Sequence, residues 1–216
     1  MNASRRSART ASDEGMTLVE VIAAVIIVVI VSLSGAALTI NGLQTASAQE
    51  RNQVAVTIAN GQMEALSGWS VTTNTSTGVS NLYTGRCLAN VTAGFTAEAA
   101  VSGVSQTYPQ WDPVATANST CSAPTFPVVT TSTENGTKYT IYDILGACYE
   151  AVEGGNCGLI AGDVAAPATV PSGYTQVIRE IVVVNWTAGS TCVKNGCSYE
   201  TTSLVDANPD LQWVTH

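Results

Sequence analysis

The chain has 216 residues, 45% of them hydrophobic and only 11% charged, with a formal net charge of −8. Beyond an N-terminal apolar run there is room for one domain of ordinary size, long enough to bury a core. An acid excess of this kind offers no footprint for a phosphate backbone, which disfavours nucleic acid as a partner for the body of the protein.

The chain opens on a basic segment, with Arg5, Arg6 and Arg9 set against Asp13 and Glu14; the rest carries five basic and fourteen acidic residues. The stretch DEGMTLVEVIAAVIIVVIVSLSGAALTI, residues 13–40, then places one acid, Glu20, at the start of an otherwise charge-free run. From Val21 to Ile40 twenty residues carry no charge, enough to cross the hydrocarbon layer as a helix. A secretory signal peptide has a shorter apolar core with a small-residue cleavage site after it. Here the core is longer, and the small residues Ser32, Ser34, Gly35, Ala36 and Ala37 lie inside it. A plain signal anchor fits the length, and the arginine-rich front would hold the N-terminus in the cytoplasm. That reading gives no account of Glu20, whose charge costs about 2.5–3.5 kcal/mol at a bilayer centre and less near its edge.

The run G-M-T-L-V-E, with Gly15, Met16 and Glu20 in this arrangement behind a basic leader, resembles the class III leader of type IV prepilins. The resemblance covers residues 1 to about 68. It implies a leader peptide, residues 1–15, removed on the cytoplasmic side by prepilin peptidase between Gly15 and Met16. Met16 would then be N-methylated, and Glu20 would be the fifth residue of the mature chain. In stacked subunits the Glu20 carboxylate would pair with the Met16 ammonium of a neighbour, so that each charge is neutralised only in the assembly. The implied partners are other pilin subunits through the N-terminal helix, the peptidase and the pilus assembly machinery. The implied location is a single pass of the inner, or cytoplasmic, membrane with the head extracytoplasmic, then a filament at the bacterial surface. TLVEV looks like minor pilins and type II secretion pseudopilins. The lack of a proline in the apolar half, which holds only Gly35 and Gly42, leans the same way.

Beyond the membrane run, Val54, Ala55, Ile58, Ala59, Met63 and Leu66 recur at spacings of three and four, while Glu50, Arg51, Asn52 and Gln53 are polar. This predicts one helix over residues 16–68, transmembrane over about 17–40 and amphipathic over 41–68, stopping at Ser67-Gly68. Residues 69–216 are Thr-, Ser-, Gly- and Val-rich with frequent turn signals. TKYTIYDIL (137–145) and VIREIVVVNW (177–186) are the clearest strands. FTAEAAV (95–101), FPVVTTS (126–132) and SYETTSLV (198–205) are weaker ones. Val182, Val184 and Trp186 share one face and Ile181 and Val183 the other, which makes that strand central. Residues 102–125 and 161–174 read as loops. The expectation is α+β: a long N-terminal helix with an antiparallel β-sheet head packed on its outer half, pilin-like.

Six cysteines lie beyond the apolar run, without a CxxC pair, and the only histidine is His216. Three disulfides in an oxidising compartment account for that pattern better than a zinc site. Six cysteines allow fifteen connectivities; proximity favours Cys192 with Cys197 around an Asn-Gly turn, Cys148 with Cys157, and Cys87 with Cys121 by elimination. No cofactor, metal or catalytic site is expected, since neither a Ser-His-Asp nor a Cys-His set has a base. Asp206, Asn208 and Asp210 mimic the start of a calcium loop, but Leu211 stands where Gly is needed. Asn74, Asn90, Asn118, Asn135 and Asn185 head N-x-S/T triplets, expected by chance in a Thr-rich chain, and Trp69, Trp111 and Trp213 read as packing residues. The function expected is structural and non-enzymatic: a minor subunit of a type IV pilus or of a related type II secretion or DNA-uptake filament. The rival is a single-pass surface protein whose β domain binds or adheres without assembling.

Overall fold

The computed structural model describes residues 17–69, 80–118, 121, 124–160, 165–187 and 196–206. It is α+β, with a long apolar N-terminal helix and an antiparallel five-stranded sheet. The chain divides into two compact units, Met1–Ser47 and Ala48–His216. Helix α1 (Leu18–Ser67) contributes to both.

α1 starts at Thr17, whose carbonyl and hydroxyl accept from the Glu20 N–H at 3.0 and 3.4 Å, an N-cap that satisfies a free helix donor. It stops where predicted: the Gly68 N–H returns to Glu64 O and the Trp69 N–H to Leu66 O. In the first unit α1 is apolar all round, and Leu18 to Leu43 stand exposed along it. In the second it is amphipathic. Val54, Ala55, Ile58, Ala59, Met63 and Leu66 all pack into one core, as their spacing requires.

That core is completed by the sheet. β3 (Thr137–Ala151) and β4 (Tyr174–Trp186) form a long antiparallel ribbon, with Ile141 opposite Val184 and Leu145 opposite Glu180. β5 (Cys197–Asp206) pairs with the other edge of β4, so β4 is interior. Ile178, Val182, Val184 and Trp186 face α1 beside Tyr139, Ile141 and Leu145. Ile181 and Val183 face away and form a second cluster with Ile144 and Val104. Period-two alternation sorts the side chains of a strand buried on both faces, as the sequence pattern of β4 indicates. β2 (Val129–Glu134) joins β3 through a two-residue turn at Asn135 (φ 49°) and Gly136 (φ 74°), the left-handed pair that suits a tight hairpin.

Three expectations are corrected. FTAEAAV is not a strand: it is the end of α2 (Leu88–Ala97) and the turn beyond it. Leu88, Val91 and Phe95 repeat at helical spacing, and Gly94 lets α2 approach Val128 so closely that a Cβ there would lie 2.5 Å from Val128 Cγ1. Helical periodicity and alanine propensity outweigh the short alternation. Residues 102–125 are not all loop, since they hold α3 (Ser102–Ser105), the two-residue β1 (Tyr108–Pro109) and α4 (Pro113–Asn118). Pro113 opens a helix, where its missing N–H is harmless, and Pro109 is tolerated on an edge strand. FPVVTTS begins its ladder only at Val129, because Phe126 and Val128 turn into the core instead.

Candidate functional site

The predicted N-terminal site residues divide at the edge of the described region. Gly15 and Met16 lie outside it. Glu20 is in the first turn of α1 and exposed, where a carboxylate also favours the positive end of the helix dipole. Behind it, an 18-residue window of α1 reaches a mean hydropathy of 2.9 and is nowhere buried. By length and composition this helix could cross a membrane. One feature escaped the sequence reading: Ser32, Ser34 and Thr39 donate their hydroxyls to the carbonyls of Val28, Ile30 and Gly35 at 2.7–2.9 Å. The polar atoms inside the apolar run are thus satisfied within the helix, which hydrocarbon demands.

In the second unit the cysteines are brought together locally. Cys87 joins Cys121, and Cys148 joins Cys157. Cys197, at the start of β5, is also disulfide-bonded; its predicted partner Cys192 lies outside the described residues. Cys148 sits within β3, which runs on to Ala151, and its bridge packs on Val177 of β4. Arg179 braces the same region. Its guanidinium donates to Gly103 O at 3.0 Å, Gln106 O and Thr107 Oγ1 at 3.1 Å, and to Cys157 O, and burial lowers its pKa. One cation thereby ties α3 and the disulfide loop to β4.

Under α1 lies a polar group that the sequence reading missed. Arg86, Asp143 and Glu180 are buried among apolar side chains. Arg86 donates to Phe126 O at 3.4 Å and to Asp143 O at 2.5 Å. Burial pulls its pKa down to about 10, opposed by the nearby Asp143, while burial pushes Asp143 up to about 6 despite Arg86. Burial likewise raises Tyr83.

The outer face of the sheet carries an open polar cleft lined by Glu98, Lys138, Thr140, Asn185, Ser198 and Glu200. Asn185 donates to Glu98 Oε1 at 2.7 Å; burial raises the Glu98 pKa and this hydrogen bond lowers it in part. Asn135 is likewise engaged, donating to Glu50 Oε1 at 3.0 Å, whereas Asn90 is exposed on α2. Among the described residues no group of three or more His, Cys, Asp or Glu side chains could hold a metal ion. Trp69 packs edge-on against Phe126 with centroids 5.3 Å apart. Asn74, Asn208, Asp210 and Trp213 lie outside the described residues.

No family model, curated protein or solved structure matches this chain. Its functional reading therefore rests on its own residues.

Proposed function

We propose that the chain is a prepilin-like, non-enzymatic filament subunit, a minor pilin or secretion pseudopilin. It is cut between Gly15 and Met16 and assembled through α1, with its head outside the cytoplasm. The observation that carries this reading is Glu20 in the first turn of α1, immediately before the charge-free run Val21–Ile40. The apolar surface of that run is left uncovered. A lone acid there is a liability in lipid unless assembly supplies a counter-charge, and the new ammonium of Met16 on a neighbouring subunit is one. Neutralising both charges in the filament core favours the assembled state over the free membrane-bound subunit.

Mass spectrometry of protein from its native membrane tests processing. The expected N-terminus is Met16 carrying one methyl group, and a bulky residue at Gly15 blocks the cut. Glu20→Ala tests assembly. Alanine is cheaper in lipid, so this variant inserts and is processed, yet enters sheared filaments poorly; Glu20→Asp is intermediate. A mature chain still starting at Met1, or normal incorporation of Glu20→Ala, would favour a single-pass surface protein that does not assemble.

A further inference from the structure

Asp143 and Glu180 interrupt the apolar side of the sheet that faces α1; Asp143 has Arg86 nearby, and Glu180 has no counter-charge among the described residues around it. Arg86 acts on Asp143 and Tyr83, whereas the shift of Glu180 is set by burial and by Ser67. Glu180 stands on β4 between Ile178 and Val182, opposite Leu145 of β3 and Ser203 of β5. It is 0% exposed, and neither carboxyl oxygen has a partner at hydrogen-bond geometry. From the elements packed around it, Ser67 at the end of α1 favours its ionised form. The ring of Tyr83, in the 3-10 turn Asn81–Tyr83, feels both Glu180 and Tyr149 of β3. Asp143 lies on the same face of β3, and Glu64 in the last turn of α1 points to solvent. None of these described neighbours is a cation that could accept a Glu180 carboxylate.

We propose that the docking of the last turn of α1 on the sheet is proton-linked: Glu180 is enclosed as the neutral acid, and its ionisation loosens Leu66–Ser67 and the Asn81–Tyr83 turn from the sheet. An ionised, unpaired carboxylate in an apolar core is strongly unfavourable, whereas the neutral acid is tolerated. Burial raises the pKa of Glu180 from 4.5 to about 7, and opening this seat to water returns it to the ordinary range. The closed state therefore binds the proton more tightly than the open one. Its advantage is full below pH 4.5, falls as pH rises through the interval between the two values, and is gone above about 7. This inference does not rest on the filament reading, and its test uses the full chain in detergent without assembly.

Hydrogen exchange of peptides spanning residues 60–67 and 80–84 measures the opening directly. Between about pH 5.5 and pH 8, after correction for intrinsic exchange, the opening constant rises roughly 30-fold in the wild type. Glu180→Gln carries a neutral isostere and changes less than about 3-fold, while Asp143→Asn keeps the rise. A wild-type change below about 3-fold, an equal rise in Glu180→Gln, or loss of the rise in Asp143→Asn would each overturn the assignment. Carbon-13 carboxyl titration of wild-type protein needs no variant: one glutamate resonance titrates near neutrality, and ordinary midpoints for every glutamate would overturn it equally.

Discussion

Arg179→Met isolates what a single buried cation does for the head. Methionine keeps most of the aliphatic stem and its packing but removes the charge and every donor. Arg179 is 7% exposed. The substitution takes the guanidinium away from Gly103 O, Gln106 O, Thr107 Oγ1 and Cys157 O; Gly103 O keeps the Thr107 hydroxyl at 2.7 Å and the Gln106 N–H at 3.3 Å, so Gln106 O and Cys157 O are the acceptors that lose their donor. A buried polar group left without a partner costs about 1–3 kcal/mol. Two effects reduce the total. Burial already disfavours the charged guanidinium, so its removal relieves that penalty, and the cleft beside Gly103, Gln106 and Cys157 lets water reach some of the acceptors. The net expectation is a loss of about 3 kcal/mol. Urea unfolding of the full chain in detergent, followed by tryptophan fluorescence, reads that loss as a lower midpoint at unchanged slope. Exchange at residues 103–107 and 157–158 rises more than elsewhere, and Arg179→Lys, which keeps the charge but not the fork, falls between. A methionine variant within about 0.5 kcal/mol of wild type would show that water serves these acceptors as well as the guanidinium does, and the bracing argument would fail.

Loop closure ranks the two described bridges. With sequence separations of 34 and 9, removing Cys87–Cys121 costs about 4 kcal/mol and removing Cys148–Cys157 about 2.5 on the chain-entropy model, measured as separate Cys→Ser pairs by denaturant unfolding. Gly146→Ala destabilises by more than about 2 kcal/mol, because its Cβ would lie 2.3 Å from Tyr108 O. Gly61→Ala, in open space on α1, stabilises by up to about 1 kcal/mol, and thermal unfolding of the two variants separates these signs. Asn135→Ala forces alanine to φ 49° and frees Glu50, lowering stability by about 1–2 kcal/mol, whereas Asn135→Gly keeps the turn and loses less.

What could be read in advance follows from periodicity. Val54 to Leu66 repeat at helical spacing, and the alternation within VIREIVVVNW sorts both faces of β4 correctly, because each pattern is set by one element against one core. The failures are of another kind. FTAEAAV is too short for its alternation to be decisive, and only the close packing of Gly94 on Val128 shows that the helix wins. β3 outruns its β-branched centre, 137–145: Ala147 and Cys148 stay in the ladder through their pairing with Ile178 and Val177. The signal for Arg179 and Glu180 is their place inside a strand buried on both faces, which requires that they be enclosed. The bonds that satisfy Arg179 come from residues up to 76 positions away, which no local pattern reveals.

The fastening of α1 within the second unit also has a mechanical meaning. Tyr139 Oη donates to Arg51 O at 3.3 Å, and Ser67 meets Glu180, which sits opposite Leu145. From Arg51 to Ser67 the helix advances about 24 Å; from Tyr139 to Leu145 the strand advances about 20 Å. The two therefore run side by side in the same direction, held by the Tyr139 hydrogen bond at one end, by Leu66 in the core at the other, and by the apolar face between. A force drawn along the helix axis loads all of these contacts at once, in shear, and cannot peel them apart one by one. Such a seam resists until its contacts give way together, because none of them can open ahead of the rest.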